Sequence, residues 1–142
     1  MQTMAQLLAS KDAQIWSISP DATVFDALRL MADKDIGALV VLEHDQPVGV
    51  VSERDYTRKV ILKGRSSHYT PVSTIMNTAF AAAQPDVDID TCMTLMTSQR
   101  TRHVLIMAGD ALLGIVSIGD LIKATIQEQQ FTITQMEQYI QS

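Results

Sequence analysis

GVVSERD at residues 49–55 returns sixty-five positions later as GIVSIGD at 114–120. Glycine, valine, serine and aspartate match, and the two stretches lie in register. Working outward, residues 18–61 lie over 83–126 without a gap. Pro20-Asp21 meets Pro85-Asp86, Leu30-Met31 meets Leu95-Met96, Asp45 meets Asp110, and Ile61 meets Ile126. There are ten identities in 44 positions, and apolar residues face apolar residues almost throughout. A fixed period of this length marks a duplicated structural unit.

Each copy reads as β-α-β-β-α. Ile15-Trp16-Ser17-Ile18 is a short strand, and Pro20-Asp21 breaks it. Val24, Ala27, Leu28 and Met31 then recur at helical spacing, as do Ile89, Cys92, Met93 and Met96 in the second copy. Ala38–Leu42 is a continuous apolar run, too short for a buried helix, and so a strand covered on both faces. His44–Pro47 is the expected turn, Val48–Val51 the return strand, and Ser52 opens a helix to about Leu62. In the second copy the matching pieces are a strand near Ala79–Ala82, a strand at Val104–Met107, a turn at Gly109-Asp110, a strand at Leu113–Val116 and a helix opening at Ser117. The expected boundaries are 1–66 for the first repeat with an N-terminal helix, 67–126 for the second, and 127–142 for a C-terminal helix. One copy, about 50 residues, buries too little apolar surface to be stable alone. The expected α+β (or α/β) fold therefore packs the two repeats sheet to sheet, with pseudo-twofold symmetry and a cleft on each side.

The composition excludes several classes of protein. It is 46% hydrophobic and 19% charged, so it is globular. Net charge is −5, which opposes broad nucleic-acid binding. Cys92 is the single cysteine, so there is neither an intrachain disulfide nor a cysteine zinc site. A reducing, cytoplasmic setting fits this. No apolar run is long enough to span a membrane, and MQTMAQLLASK lacks the basic leader of a signal peptide. No catalytic set is evident. His44, His68 and His103 lack metal-ligand partners at i+4, and no G-x-S-x-G elbow or P-loop occurs. Cys92 falls on an apolar helix face, where a thiol is inert packing. The expectation is a protein that is not an enzyme and has no catalytic cofactor or metal.

With the repeat and both G-h-h-S-x-x-D junctions on view, the chain resembles a CBS-domain pair, also called a Bateman module. The likeness runs from about residue 10 to 126. The whole chain resembles the small stand-alone bacterial CBS-pair proteins, which carry no attached catalytic domain, and the SERDYTRKVILKGRSS stretch looks like them too. The resemblance implies a regulatory module that binds an adenosyl ligand (AMP, ADP, ATP, NAD(H) or S-adenosylmethionine) and signals by conformational change to a partner protein it does not identify. It also implies a homodimer. A ligand-free dimerisation or interaction scaffold is the alternative.

The residues suit such a ligand. Ser52 and Asp55, and Ser117 and Asp120, stand at helix starts, where free N–H groups favour anions. An ionised aspartate is acceptor-only and matches the two vicinal ribose hydroxyls, a role the resemblance also implies for Asp55 and Asp120. The same Ser-x-x-Asp spacing is close to a capping box that needs no ligand. Arg102 and His103, where the first copy has Gly37 and Ala38, occupy the place at which the family pattern sets basic residues near a phosphate. Arg102 suits bidentate phosphate contact or a surface ion pair, and His103 a hydrogen bond or a structural role. Arg54 beside Asp55, and Lys63, Arg65 and Ser66 in the linker, are further candidates for phosphate or solvent-facing residues. The base needs an apolar slot, for which Trp16-Ser17-Ile18 and Phe80 are candidates, with Gly37 and Ala38 leaving room; Trp16 equally fits the core. Finally, Ile126, Ile133, Met136 and Ile140 form an apolar stripe, suited to packing on the protein's own core or to a dimer contact.

Overall fold

The computed structural model describes residues 2–11 and 14–141. The elements are α1 (Met4–Ser10), β1 (Ser17–Ile18), α2 (Val24–Lys34), β2 (Ala38–Glu43), β3 (Gln46–Ser52), α3 (Glu53–Lys59), a 3-10 turn (Ile61–Lys63) and α4 (Val72–Ile75), then β4 (Ala82–Ala83), α5 (Ile89–Gln99), β5 (His103–Ala108), β6 (Ala111–Ser117) and α6 (Ile118–Gln141). Two three-stranded sheets form, ordered β1-β2-β3 and β4-β5-β6. In the first, β1 runs parallel to β2 and β3 antiparallel to it; in the second, β4 runs parallel to β5. The two-repeat α+β reading holds, with one sheet and its helices per repeat.

The repeats share local devices as well as pattern. Thr23 caps α2 by accepting from the Asp26 N–H, and Asp88 caps α5 by accepting from the Thr91 N–H. Asp35 and Arg100, one repeat apart, end these helices in left-handed backbone with φ of 54° and 53°. The next N–H reaches back five residues in each case, from Ile36 to Met31 and from Thr101 to Met96.

Several expected bounds shift. The first hairpin turn is only His44-Asp45, with φ of 51° and 63°, while Gln46 and Pro47 already belong to β3. A two-residue loop with both φ positive matches the twist of its flanking strands. The strand expected near Ala79–Ala82 is Ala82–Ala83, because the Ala81 carbonyl is taken by the Leu105 N–H as β4 begins. No break separates a second-repeat helix from a terminal helix at 126–127: α6 is continuous over 24 residues.

Two compact units emerge, and their membership crosses the sequence order. One unit, Gln14–Phe80 with Asp110–Leu112, holds the first repeat, and its core joins Val24, Ala27, Met31, Leu39, Val41, Val51 and Val60 to Val72 and Ile75 of α4. The other holds Met1–Ala13, Ala81–Gly109 and Leu113–Ser142, and its core joins Ile89, Cys92, Met96, Val104, Ile106, Val116 and Leu121 to Met4, Leu7 and Leu8 of α1. The helix that precedes each repeat in the chain thus completes the core of the other repeat. α1, expected with the first repeat, seals the second; residues 67–80, expected with the second, seal the first. Hydrogen bonds fix both docks. Met4 N–H donates to the Val87 carbonyl and Ala5 N–H to that of Pro85, while Val72 N–H donates to Ala22 and Ser73 N–H to Pro20.

The glycine of each junction marks where that helix lands. A Cβ on Gly49 would stand 2.8 Å from the Met76 sulfur, and one on Gly114 would stand 2.8 Å from Leu8 Cδ2. The motif glycines therefore allow close approach of a helix from another part of the chain.

Candidate functional site

Both Ser-x-x-Asp junctions close as reciprocal caps. In the first repeat, Ser52 Oγ accepts from the Asp55 N–H at 3.2 Å. Asp55 Oδ2 accepts from the Ser52 N–H at 2.9 Å and from its hydroxyl at 3.0 Å. In the second, Ser117 Oγ accepts from the Asp120 N–H at 3.1 Å and Asp120 Oδ2 accepts from the Ser117 N–H at 2.8 Å. Each acid thus orders its own helix start. A cross-link at the base repeats too: Glu53 N–H donates to the Gly37 carbonyl, and Ile118 N–H to that of Arg102.

The two acids differ in what balances their charge. Asp55 Oδ1 is 3.3 Å from Lys59 Nζ, one turn along the same helix, and Lys59 also donates to the Ile75 carbonyl. Ala124 replaces that lysine in the second repeat. There Lys11, just past α1, supplies the cation: its Nζ is 2.8 Å from Asp120 Oδ2 and 3.3 Å from the Ile115 carbonyl. Burial alone would raise the Asp120 carboxyl, but the hydrogen bonds from Lys11 and Ser117 and the Lys11 charge outweigh it and hold the group below its ordinary value. Asp55 has both oxygens engaged. Asp120 has both its bonds on Oδ2, so among the described residues Oδ1 is open to a further donor.

Arg102, His103, Ser117 and Asp120 fall in one unit, together with Lys11. Arg102 is exposed on the approach to β5, and His103 is half-buried at its first position, its N–H donating to Thr101 Oγ1. Ser52, Arg54, Asp55, Gly37, Ala38, Lys63, Arg65 and Ser66 fall in the other unit. Arg54 is exposed on the first turn of α3. Gly37 and Ala38 lead into β2; a Cβ on Gly37 would meet Glu53 Oε1 at 3.3 Å, so this spot holds the start of α3. Trp16 and Ile18 pack on the first repeat's core, and Lys34 Nζ sits 4.3 Å from the Trp16 ring centroid. Strand alternation leaves Ser17 on the opposite face, alone of that trio. Phe80, half-buried ahead of β4, groups with the first repeat's unit.

The linker is an ordered strap. Gly64 caps the 3-10 turn at φ 69°, Arg65 N–H donates to the Val60 carbonyl, and the Ser66 carbonyl accepts from the Thr70 hydroxyl at 2.7 Å. Phe25 N–H donates to the Ser67 carbonyl, and the Phe25 and His68 rings stack at 4.0 Å. Lys63, Arg65 and Ser66 are exposed on its surface.

Sequence reasoning missed Lys11 and Lys59. The i,i+4 spacing of Asp55 and Lys59 was readable. Nothing in the sequence joins Lys11 to Asp120. Among the described residues no His, Cys, Asp or Glu cluster is arranged to hold a metal, and no helix is long and apolar enough to cross a membrane.

Known proteins resemble this chain in sequence and fold. The CBS-domain family model matches twice, over residues 10–61 and 72–126. The mitochondrial CBS domain-containing protein CBSX3 of Arabidopsis thaliana is 36% identical over 89% of this chain, which spans 64% of that protein's length. The CBS domain-containing protein YhcV of Bacillus subtilis is 30% identical over 83% of this chain and 84% of its own. A Burkholderia ambifaria structure, described as a candidate signal-transduction protein with CBS domains, superposes with a TM-score of 0.87 at 46% identity, covering 93% of this chain and 99% of that one. The CBS-domain protein ATU1752 of Agrobacterium tumefaciens superposes at 0.82 with 32% identity, covering 87% and 99%. Duplicated sheets, duplicated Ser-x-x-Asp helix starts and these matches agree: the chain belongs to the CBS-domain family and carries two CBS domains in tandem.

Proposed function

We propose that this chain is a regulatory module, not an enzyme, that binds an adenosyl ligand of the AMP, ATP or NAD(H) class. The ligand would shift how the module engages a partner protein. Asp120 carries the reading. It is an ionised carboxylate fixed at a helix start, with Oδ1 open to a ribose hydroxyl. Lys11, Arg102 and His103 in the same unit supply basic groups for a phosphate. Asp55, with both oxygens occupied, is the weaker acceptor, so the second repeat is the principal site. A ligand moves such an equilibrium only through unequal affinity for the two states. A cytoplasmic setting and self-association into a homodimer belong to the same reading. Nucleic acid and membrane are not its targets, in keeping with the net charge of −5.

A second reading, a ligand-free scaffold, draws support from the caps themselves, since each acid already satisfies its own helix start. S-adenosylmethionine, lacking a phosphate, would make less use of Arg102. Thermal melts against AMP, ADP, ATP, NAD⁺, NADH and S-adenosylmethionine separate these. Ligand at 100 times its dissociation constant stabilises by about 2.7 kcal/mol, roughly 5–10 °C for a chain of this size. A shift with a phosphate-bearing nucleotide supports the sensor. No shift with any of the six supports the scaffold.

A further inference from the structure

α6 buries no side chain beyond its first two turns. Leu121 and Ala124 are buried against the core, whereas Ile122, Ile126, Ile133, Met136 and Ile140 are between 48% and 80% exposed. These five side chains form one stripe. Counted in sevens, Ile126, Ile133 and Ile140 take the first position, and Ile122, Gln129 and Met136 take the fourth. That is the seam of a two-helix coiled coil, and it has a single polar member, Gln129.

We propose that this seam pairs with the same seam of a second copy of this chain, and that the two helices run antiparallel. This deepens the self-association in the proposed function and is independent of any ligand. The register follows from the sequence. An antiparallel pair sets first positions against fourth positions, and one alignment satisfies every layer: Ile126 on Met136, Ile133 on Gln129 and Ile140 on Ile122, each twice by symmetry. The interface is then self-complementary about a twofold axis, which closes the assembly at two.

Charge selects the direction. Flanking the seam on one side are Lys123, Gln130 and Glu137; on the other are Thr125, Thr132 and Tyr139. Antiparallel helices bring like flanks together, so Lys123 of one copy meets Glu137 of the other at both ends, with Gln130 beside its own mate at the centre. Neither Lys123 nor Glu137 has an ion-pair partner within the chain among the described residues. Parallel helices would set this flank against the threonines and Tyr139, leaving both charges without an opposite.

Sedimentation of the full chain, with Ile133→Glu and cysteine variants, tests this. The wild type should sediment as a dimer, with a thermal melt that rises with protein concentration. Ile133→Glu should sediment as a monomer that keeps the wild-type circular dichroism and melts independently of concentration, because Ile133 is exposed within the single chain. Glu137→Lys should weaken the dimer several-fold, and adding Lys123→Glu should restore it. Under mild oxidation Gln130→Cys should cross-link to its mate, while Ile126→Cys should not, because its mate lies about ten residues, or ~15 Å, along the helix. Buried Cys92 stays out of this reaction. A monomeric wild type would overturn self-association itself. A dimer that survives Ile133→Glu would keep self-association and overturn this seam. Cross-linking through Ile126→Cys and not Gln130→Cys would overturn the antiparallel direction.

Discussion

Lys11 and Asp120, 109 positions apart in the chain, meet in a 2.8 Å ion pair at the start of α6. The contact ties the segment after α1 to the second Ser-x-x-Asp cap, and it does for Asp120 what Lys59, from within α3, does for Asp55. One duplicated acid is balanced locally and the other across the chain.

Replacing Lys11 with methionine should cost about 0.5–1 kcal/mol at neutral pH, since the pair is about one-third exposed and partly screened. The pH dependence has a definite sign. The Asp120 carboxyl is held below its ordinary value of 3.8, so its contribution is complete above that value and is lost as pH falls through the lower folded value. Urea unfolding at pH 7 and pH 3 should therefore show a smaller loss of stability on acidification in Lys11→Met than in the wild type. An equal loss would remove Lys11 from the balance.

The crossed helices predict which repeat each mutation loosens. Leu7→Ala and Ile75→Ala should each cost about 2–5 kcal/mol, as both side chains are fully buried. Hydrogen exchange should rise first in β5 and β6 for Leu7→Ala, and in β2 and β3 for Ile75→Ala. The reverse assignment would mean that each helix seals the repeat it precedes.

Alanine at either motif glycine should destabilise by about 1–3 kcal/mol through overpacking. Gly49→Ala should be the costlier, because the new methyl meets the Met76 side chain from its sulfur down to its Cβ, whereas at Gly114 it meets the branched end of Leu8. Adding Met76→Ala should recover part of the Gly49→Ala loss. Denaturation of the two singles and the double gives that coupling directly.

Ligand binding should respond unequally to the two acids. Asp120→Asn should reduce the nucleotide-induced thermal shift more than Asp55→Asn does, given the open Oδ1 of Asp120. Arg102→Ala should weaken AMP more than adenosine, since only AMP offers a phosphate; calorimetry of both ligands reads the difference. Equal losses would take Arg102 out of phosphate recognition.

Much of this was legible in the chain. Helical spacing at Val24, Ala27, Leu28 and Met31 reads directly, because a helix face repeats on the scale of a few residues. The same holds for the apolar run Ala38–Leu42 and for the helix starts at Ser52 and Ser117. Strand and turn ends were less visible. Pro47 looks like a turn residue, yet it lies within β3, because positive φ at His44 and Asp45 closes the hairpin in two residues. Trp16 fits both a ligand slot and a core, and the structure packs it, partly buried, against the first repeat's core.

From its sequence alone, this protein is a duplicated β-α-β-β-α chain with an acid at the head of each repeat's second helix, because periodicity and capping act between residues close in the chain. Tertiary structure decided the rest. α1 completes the second repeat and α4 the first, Lys11 reaches Asp120, and α6 turns its isoleucines outward. Apolar faces of similar size and spacing do not name their partners; shape does, and Gly49 and Gly114 leave room for Met76 and Leu8 only once the whole chain has packed.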